Sequence, residues 1–237
     1  GTGTSLGVPI IGCDCPVCTS TDPRDNRLRT SALIQYGHLT LLIDAGPDFR
    51  QQMIRNHIKN IDAILLTHEH KDHVSGLDDI RALNFLHHKA IDIYAEKRVH
   101  DSIRQDFAYV FSIIQYPGIP QMKLHLIDPD PFEIDGLPIV PIRVLHYKLP
   151  ILGFRFGDFT YITDANYIDH EQMEKIKGSK ILVINALRWE PHLSHYSFPE
   201  VFKIIQEIGP EKAYLTHLSH QAGMHQDLLK KMPDGIE

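Results

Sequence analysis

The chain has 237 residues, 43% of them hydrophobic and 23% charged, a composition that excludes disordered, collagenous and coiled-coil classes. Thirty Asp and Glu against 24 Lys and Arg leave a formal net charge of −6, which offers no broad cationic face for gripping a polynucleotide by its phosphates. No apolar run approaches the roughly 18 residues of a membrane span, and no signal-peptide pattern follows Gly1, so a cytoplasmic protein with a small substrate is expected.

In chain order, the apolar periodicity predicts strands at 33–36 and 39–43, a helix at 49–56, a strand at 61–66 and a helix at 77–86. A strand at 91–95 and a helix at 99–111 follow, then strands at 137–145, 154–156 and 159–162 and a helix at 171–177. The remainder reads as a strand at 181–185, a helix at 198–208, a strand at 213–215 and a helix at 226–231. Each strand run is short and rich in β-branched or aromatic residues, and each helical run repeats its apolar positions every three to four residues. Such mixing over the whole length, with no repeat or Ser/Gly linker, implies one α/β domain over 1–237.

Sixteen histidines are the unusual feature, because imidazole is the commonest transition-metal ligand. Four ligand-capable side chains fall within six residues in Thr67-His68-Glu69-His70-Lys71-Asp72-His73, directly after the strand at 61–66. A loop leaving a strand turns alternate residues toward one point, so His68 and His70 can clasp one cation and Asp72 and His73 a neighbour. A solvated polar loop accounts for one histidine but poorly for three beside an aspartate.

The His-x-His-x-Asp-His pattern resembles the metallo-β-lactamase superfamily. That resemblance implies a four-layer αββα sandwich with two divalent cations at one sheet edge. Carried over, His68, His70, His146 and Asp164 hold one catalytic metal, and Asp72, His73, Asp164 and His217 the other. His146, Asp164 and His217 each follow an expected strand. Asp44, in Leu42-Ile43-Asp44-Ala45-Gly46, matches a family aspartate that supports the ligands, although an Asp that opens a turn before Gly46 reads as well.

Cys13, Cys15 and Cys18 form a tight Cys-x-Cys-x-x-Cys cluster, too few and too odd in number for a disulfide framework. Three thiols at that spacing wrap one soft cation, and a tetrahedral site then needs a fourth donor. His220, three residues beyond His217, is the candidate for a structural zinc; three buried thiols are the alternative. The opening Gly1-Thr2-Gly3-Thr4-Ser5-Leu6-Gly7 is read either as a tight turn or as a phosphate cradle of backbone N–H groups, with Thr4 or Ser5 adding a hydroxyl.

Together these motifs are similar to the PhnP-type phosphodiesterases of the carbon–phosphorus lyase pathway, over residues 1–220. The resemblance implies hydrolysis of a small cyclic ribosyl phosphodiester by a hydroxide shared between two cations. His195 stands at the position of the proton donor, with His192 its rival. Zinc, manganese and iron all suit the His and carboxylate donors. Members of that family begin with a strand ahead of the glycine-rich loop, which this sequence does not include. The competing readings are a tRNA 3′-end nuclease, a lactonase or thioesterase of the same fold, and a non-catalytic metal- or nucleotide-binding protein. The nuclease class grips RNA with a basic arm, and no Gly/Pro/Lys-rich insertion lies between His73 and His146. A homodimer is compatible with all of them.

Overall fold

A computed structural model of the chain describes residues 1–114 and 116–237. Two compact units emerge: one comprises Ser31–Asp128, the other joins Gly1–Thr30 to Pro129–Glu237. Each is built around a single sheet.

In the unit Ser31–Asp128 the strands are β1 (Ala32–Tyr36), β2 (Leu39–Ile43), β3 (Ala63–Leu65), β4 (Ile91–Ala95) and β5 (Met122–Leu126), ordered in space as in sequence. β1 and β2 form an antiparallel hairpin, and β2 through β5 run parallel. Among the described residues they are accompanied by the α-helices α1 (Phe49–Arg55), α2 (Lys71–Val74), α3 (Arg81–His87) and α4 (Lys97–Asp106). Parallel strands need crossover connections, and the alternation of strand and helix supplies them. The core draws on Ile64, Leu66, Ile91 and Ile93 from strands and strand ends, and on Phe49, Leu77, Val99 and Ile103 from helical segments, all buried.

The other unit carries β6 (Phe132–Ile134), β7 (Leu137–His146), β8 (Leu149–Phe156), β9 (Phe159–Ile162), β10 (Ile181–Asn185) and β11 (Lys212–Thr216). Their spatial order is β11-β10-β9-β8-β7-β6, antiparallel from β6 to β9 and parallel from β9 to β11. Helices α5 (His170–Ile176), α6 (Phe198–Ile208) and α7 (His225–Lys231) belong to this unit. α6 begins with a capping box, in which Ser197 and Glu200 exchange hydrogen bonds, and ends at Gly209 in the left-handed conformation (φ 64°). Its Phe198, Val201 and Ile205 pack with Ile142, Val144, Ile162 and Ile184.

The α/β class agrees with the sequence reading, and most elements agree to within a residue or two. Helix α4 stops at Asp106 rather than running to 111. The helix expected at 77–86 is a 3₁₀ segment, Ser75–Ile80, followed by α3. β8 starts five residues earlier than the pattern suggested, because Pro150 reads as a strand breaker. Here it is tolerated: Leu145, the cross-strand neighbour of Pro150, sends its N–H away from β8 to the Tyr167 carbonyl, so this pair exchanges no hydrogen bonds. β5 and β6 are new, the first polar at alternate positions and the second only three residues long. Among the described residues no helix is long and apolar enough to cross a membrane.

Candidate metal centres

In the unit Ser31–Asp128 the ligand motif follows β3, is extended at His70, and then enters α2, whose first turn carries Asp72 and His73. The start of α2 thus divides the motif into two pairs. The ligand-capable atoms of His68 and His70 lie within 4.8 Å of each other, and His73 Nε2 stands 3.2 Å from Asp72 Oδ2. The Asp44-Ala45-Gly46 turn after β2 is bonded to this motif. Ala45 N–H donates to the His73 carbonyl at 2.8 Å and Gly76 N–H to the Ala45 carbonyl at 2.8 Å. Gly46 allows the approach, since a Cβ there would sit 1.9 Å from the Asp72 carbonyl oxygen.

Asp44 is fully buried and held at φ 61°. Its Oδ1 accepts Thr67 N–H at 2.9 Å, and its Oδ2 accepts the Thr67 hydroxyl at 2.9 Å and His73 Nδ1–H at 2.7 Å. Burial pushes the Asp44 carboxyl above the ordinary range, against the pull of His73 and the Thr67 donors. Thr67 settles a second tautomer. Its one hydroxyl proton goes to Asp44, so at 2.9 Å it accepts from His68 Nδ1–H. Both rings therefore carry their lone pair on Nε2, the state a metal ligand requires. Asp44→Ala leaves three buried donors without their acceptor. The expected result is a stability loss of roughly 3–5 kcal/mol and metal binding weaker by about 10–100-fold, read by thermal unfolding and metal titration.

In the other unit three candidate ligands stand at or just past strand ends: His146 closes β7, Asp164 follows β9 and His217 follows β11. Asp164 and His217 both hold left-handed backbone, φ 58° and 56°. Such strain in residues with side chains costs energy and concentrates at working sites. Asp164 Oδ1 stands 3.0 Å from His217 Nε2, and its Oδ2 accepts the Thr163 hydroxyl at 2.6 Å. Asn185, at the end of β10, clamps the next residue by accepting Ala165 N–H at 2.7 Å and donating to the Ala165 carbonyl at 2.8 Å. His146 Nδ1–H donates to the Ser194 carbonyl at 2.9 Å, which again assigns the lone pair to Nε2.

His195 packs among these groups, its ring 4.7 Å from His146 and 4.6 Å from His217, its Nδ1 3.8 Å from Asp164 Oδ1. That Nδ1 is buried and finds no hydrogen-bond partner among the described residues. Burial, then the neighbouring His217, pushes the His195 pKa down to about 3, so the ring is neutral at neutral pH. His192, the rival, is more exposed and stacks on His195 at 5.3 Å.

Cys13, Cys15 and Cys18 surround the His220 ring, with Sγ atoms 3.3, 3.4 and 3.5 Å from its Nδ1. A tetrahedral zinc with Zn–S near 2.3 Å and Zn–N near 2.0–2.1 Å requires an S···N edge of about 3.5 Å, and the donor set fits. The Cys18 amide draws the Cys15 thiol down to about 6, while burial drives Cys18 up to about 11. Arg27 fastens the segment around His220, donating to the Ser219 carbonyl at 2.8 Å and the Gly223 carbonyl at 2.5 Å, with buried Asp25 3.5 Å away.

The glycine-rich opening corrects one expectation. Gly3 N–H donates to the Leu28 carbonyl, Thr4 N–H to the Leu218 carbonyl and Gly7 N–H to the Thr4 carbonyl, at 2.7, 3.1 and 2.7 Å. Those amides already serve the fold and are not a phosphate cradle. Thr4 is buried and Ser5 exposed, with its carbonyl accepting from Arg29. Thr67, Thr163, Asn185 and the Ser194 carbonyl escaped sequence reading. Only the adjacency of Thr67 to His68 and of Thr163 to Asp164 could have flagged two of them.

A family profile described as a beta-lactamase superfamily domain matches residues 40–218, and the chain belongs to that superfamily. Within it the chain belongs to the PhnP family. It is 39% identical to a structure described as a new diphosphatase from that family, covering 100% of this chain and 91% of the other with a TM-score of 0.93. A Porphyromonas gingivalis (strain ATCC BAA-308 / W83) protein named octanoyltransferase is 45% identical over 239 residues. The match takes in 100% of this chain but 48% of that protein, so the chain spans about half of its length. The zinc-bound PqqB of Methylobacterium extorquens shares the fold, with a TM-score of 0.79 at 17% identity over 100% of this chain and 94% of its own. The metallo-β-lactamase fold follows from these findings.

Proposed function

We propose that the chain hydrolyses a small phosphodiester, of which a cyclic ribosyl phosphate is the favoured example, with two divalent cations and one structural zinc. His68, His70, His146 and Asp164 hold one catalytic cation, and Asp72, His73, Asp164 and His217 the other. One observation carries the reading: His68, His73 and His146 each commit Nδ1–H to an oxygen, which reserves Nε2 for a metal in three separate places. When bound, the cations supply Lewis-acid stabilisation of the phosphoryl group and an acidified water.

The protein's own residues do the rest. Asp164, aimed by its left-handed backbone and by Asn185, is shared between the two ligand sets. His195 is placed to give a proton to the departing oxygen as an imidazolium, formed once the negative charge of the bound phosphoryl group offsets the burial that otherwise keeps the ring unprotonated. His195→Ala is expected to keep its metals and to lose about 10²–10⁴-fold in turnover. Metal loss as severe as that of an Asp164 variant contradicts this division of labour.

A diphosphate is an alternative substrate of the same chemistry, supported by the diphosphatase relative. Acyl-ester or thioester hydrolysis is a second reading, favoured by the relative named octanoyltransferase. The negative charge argues against a polynucleotide. The test is a panel containing a cyclic ribosyl phosphate, bis(p-nitrophenyl) phosphate, a nucleoside diphosphate, an octanoyl thioester and a precursor tRNA. Turnover of the small phosphates supports the proposal. Cleavage of the tRNA or the thioester alone overturns it.

A further inference from the structure

Between β7 and β8 the chain reverses through two residues, Tyr147 and Lys148, since His146 pairs with Leu149. A two-residue hairpin asks for glycine, asparagine or aspartate where the backbone is left-handed. Tyr147 sits there instead, at φ 57°. A bulky side chain in that region is an outlier that persists only when its surroundings enforce it. They do so here: Asn166 Oδ1 accepts Tyr147 N–H at 2.5 Å, Asn166 N–H donates to the Leu145 carbonyl at 2.8 Å, and Leu145 N–H donates to the Tyr167 carbonyl at 3.0 Å. The strained turn is thereby fastened to the loop that follows Asp164.

Packing does not explain the choice of tyrosine. Tyr147 is 46% exposed and Tyr167, on the fastened loop, 53% exposed. The Lys148 ammonium stands 5.4 Å from the centre of the Tyr147 ring. An aromatic ring is thus held at conformational cost, open to solvent, one residue after His146 and in a turn fastened to the loop that begins at Asp164. Local rules broken without a gain in packing mark working positions.

From this we infer that Tyr147 is a specificity-determining residue: it stacks on a flat aromatic group, such as a nucleobase, carried by the phosphate substrate, while Lys148 covers the opposite face of the ring. Base–aromatic stacking is insensitive to base identity because every base presents a π-face. The Lys148 ammonium adds a cation beside an anionic ligand. This rests on the proposed phosphate chemistry and names the substituent that the phosphate bears.

AMP and ribose 5-phosphate share ribose and phosphate and differ by the base, so their affinity ratio isolates the stacking contribution. Equilibrium binding of both to the metal-containing protein is expected to favour AMP by roughly 10-fold or more. Tyr147→Gly and Tyr147→Asn, both suited to the left-handed turn, should bring the ratio to within about twofold. Tyr147→Phe should keep it. The unfolding temperature of the Gly variant should not fall, since the substitution relieves backbone strain. A ratio near one in the wild type, or a ratio unmoved in both non-aromatic variants, overturns the inference while leaving the phosphate reading intact. Failure of both ligands to bind the wild type overturns the two together.

Discussion

Asp164→Ala is expected to lose both catalytic cations and roughly four orders of magnitude or more in turnover. No other residue is asked to serve both ligand sets. Its carboxylate is aimed by a left-handed backbone (φ 58°), by the Thr163 hydroxyl at 2.6 Å and by the Asn185 clamp on Ala165. Removing it also strips His217 Nε2 of an oxygen 3.0 Å away. Asp164→Asn preserves shape and most of the local bonding while removing the charge, so it separates the two contributions. If charge governs, the Asn variant loses metal nearly as completely as the Ala variant. Elemental analysis should find about three ions per chain in the wild type and about one in either variant, the survivor held by the cysteine cluster. Retention of all ions with unchanged turnover contradicts the assignment.

Cys15→Ser carries the second large effect, this time on stability. Three thiols within 3.5 Å of one imidazole nitrogen form a closed donor set, and a structural zinc contributes folding energy outright. Losing one thiolate should release the ion and lower the unfolding temperature by on the order of 10 °C. Turnover should fall as well. His220 lies three residues beyond His217, and the intervening Ser219 carbonyl is tied to Arg27. A chelator that removes only this ion should reproduce the loss, and a melting curve and ion count unchanged from wild type would rule the structural zinc out.

How far the sequence carries this account depends on the kind of information each feature needs. β4 and β10 were legible to the residue because their apolar runs are bounded by turns. α6 was equally clear, with Ser197, Glu200 and Gly209 marking its ends. β8 was half hidden by Pro150, whose tolerance depends on where Leu145 sends its N–H, a fact of pairing and not of composition. The ligand set was readable because its residue types and spacings are chemically demanding. The geometry behind it was not: the tautomer of His68 depends on one threonine proton and that of His73 on the Asp44 carboxylate, and Asn185 acts through Ala165, 20 residues back in the chain. The N–H groups of the glycine-rich opening misled for a related reason, since their partners at Leu28 and Leu218 are distant in sequence. Tyr147 looked unremarkable until its backbone conformation was known.

Anomalous scattering from crystals of the untreated protein tests the central claim most directly. Two peaks about 3.5–4 Å apart are predicted, ligated by the Nε2 atoms of His68 and His73 and bridged by Asp164, with a third peak among Cys13, Cys15, Cys18 and His220. A single peak confined to the cysteine cluster, with metal supplied in excess, would contradict it.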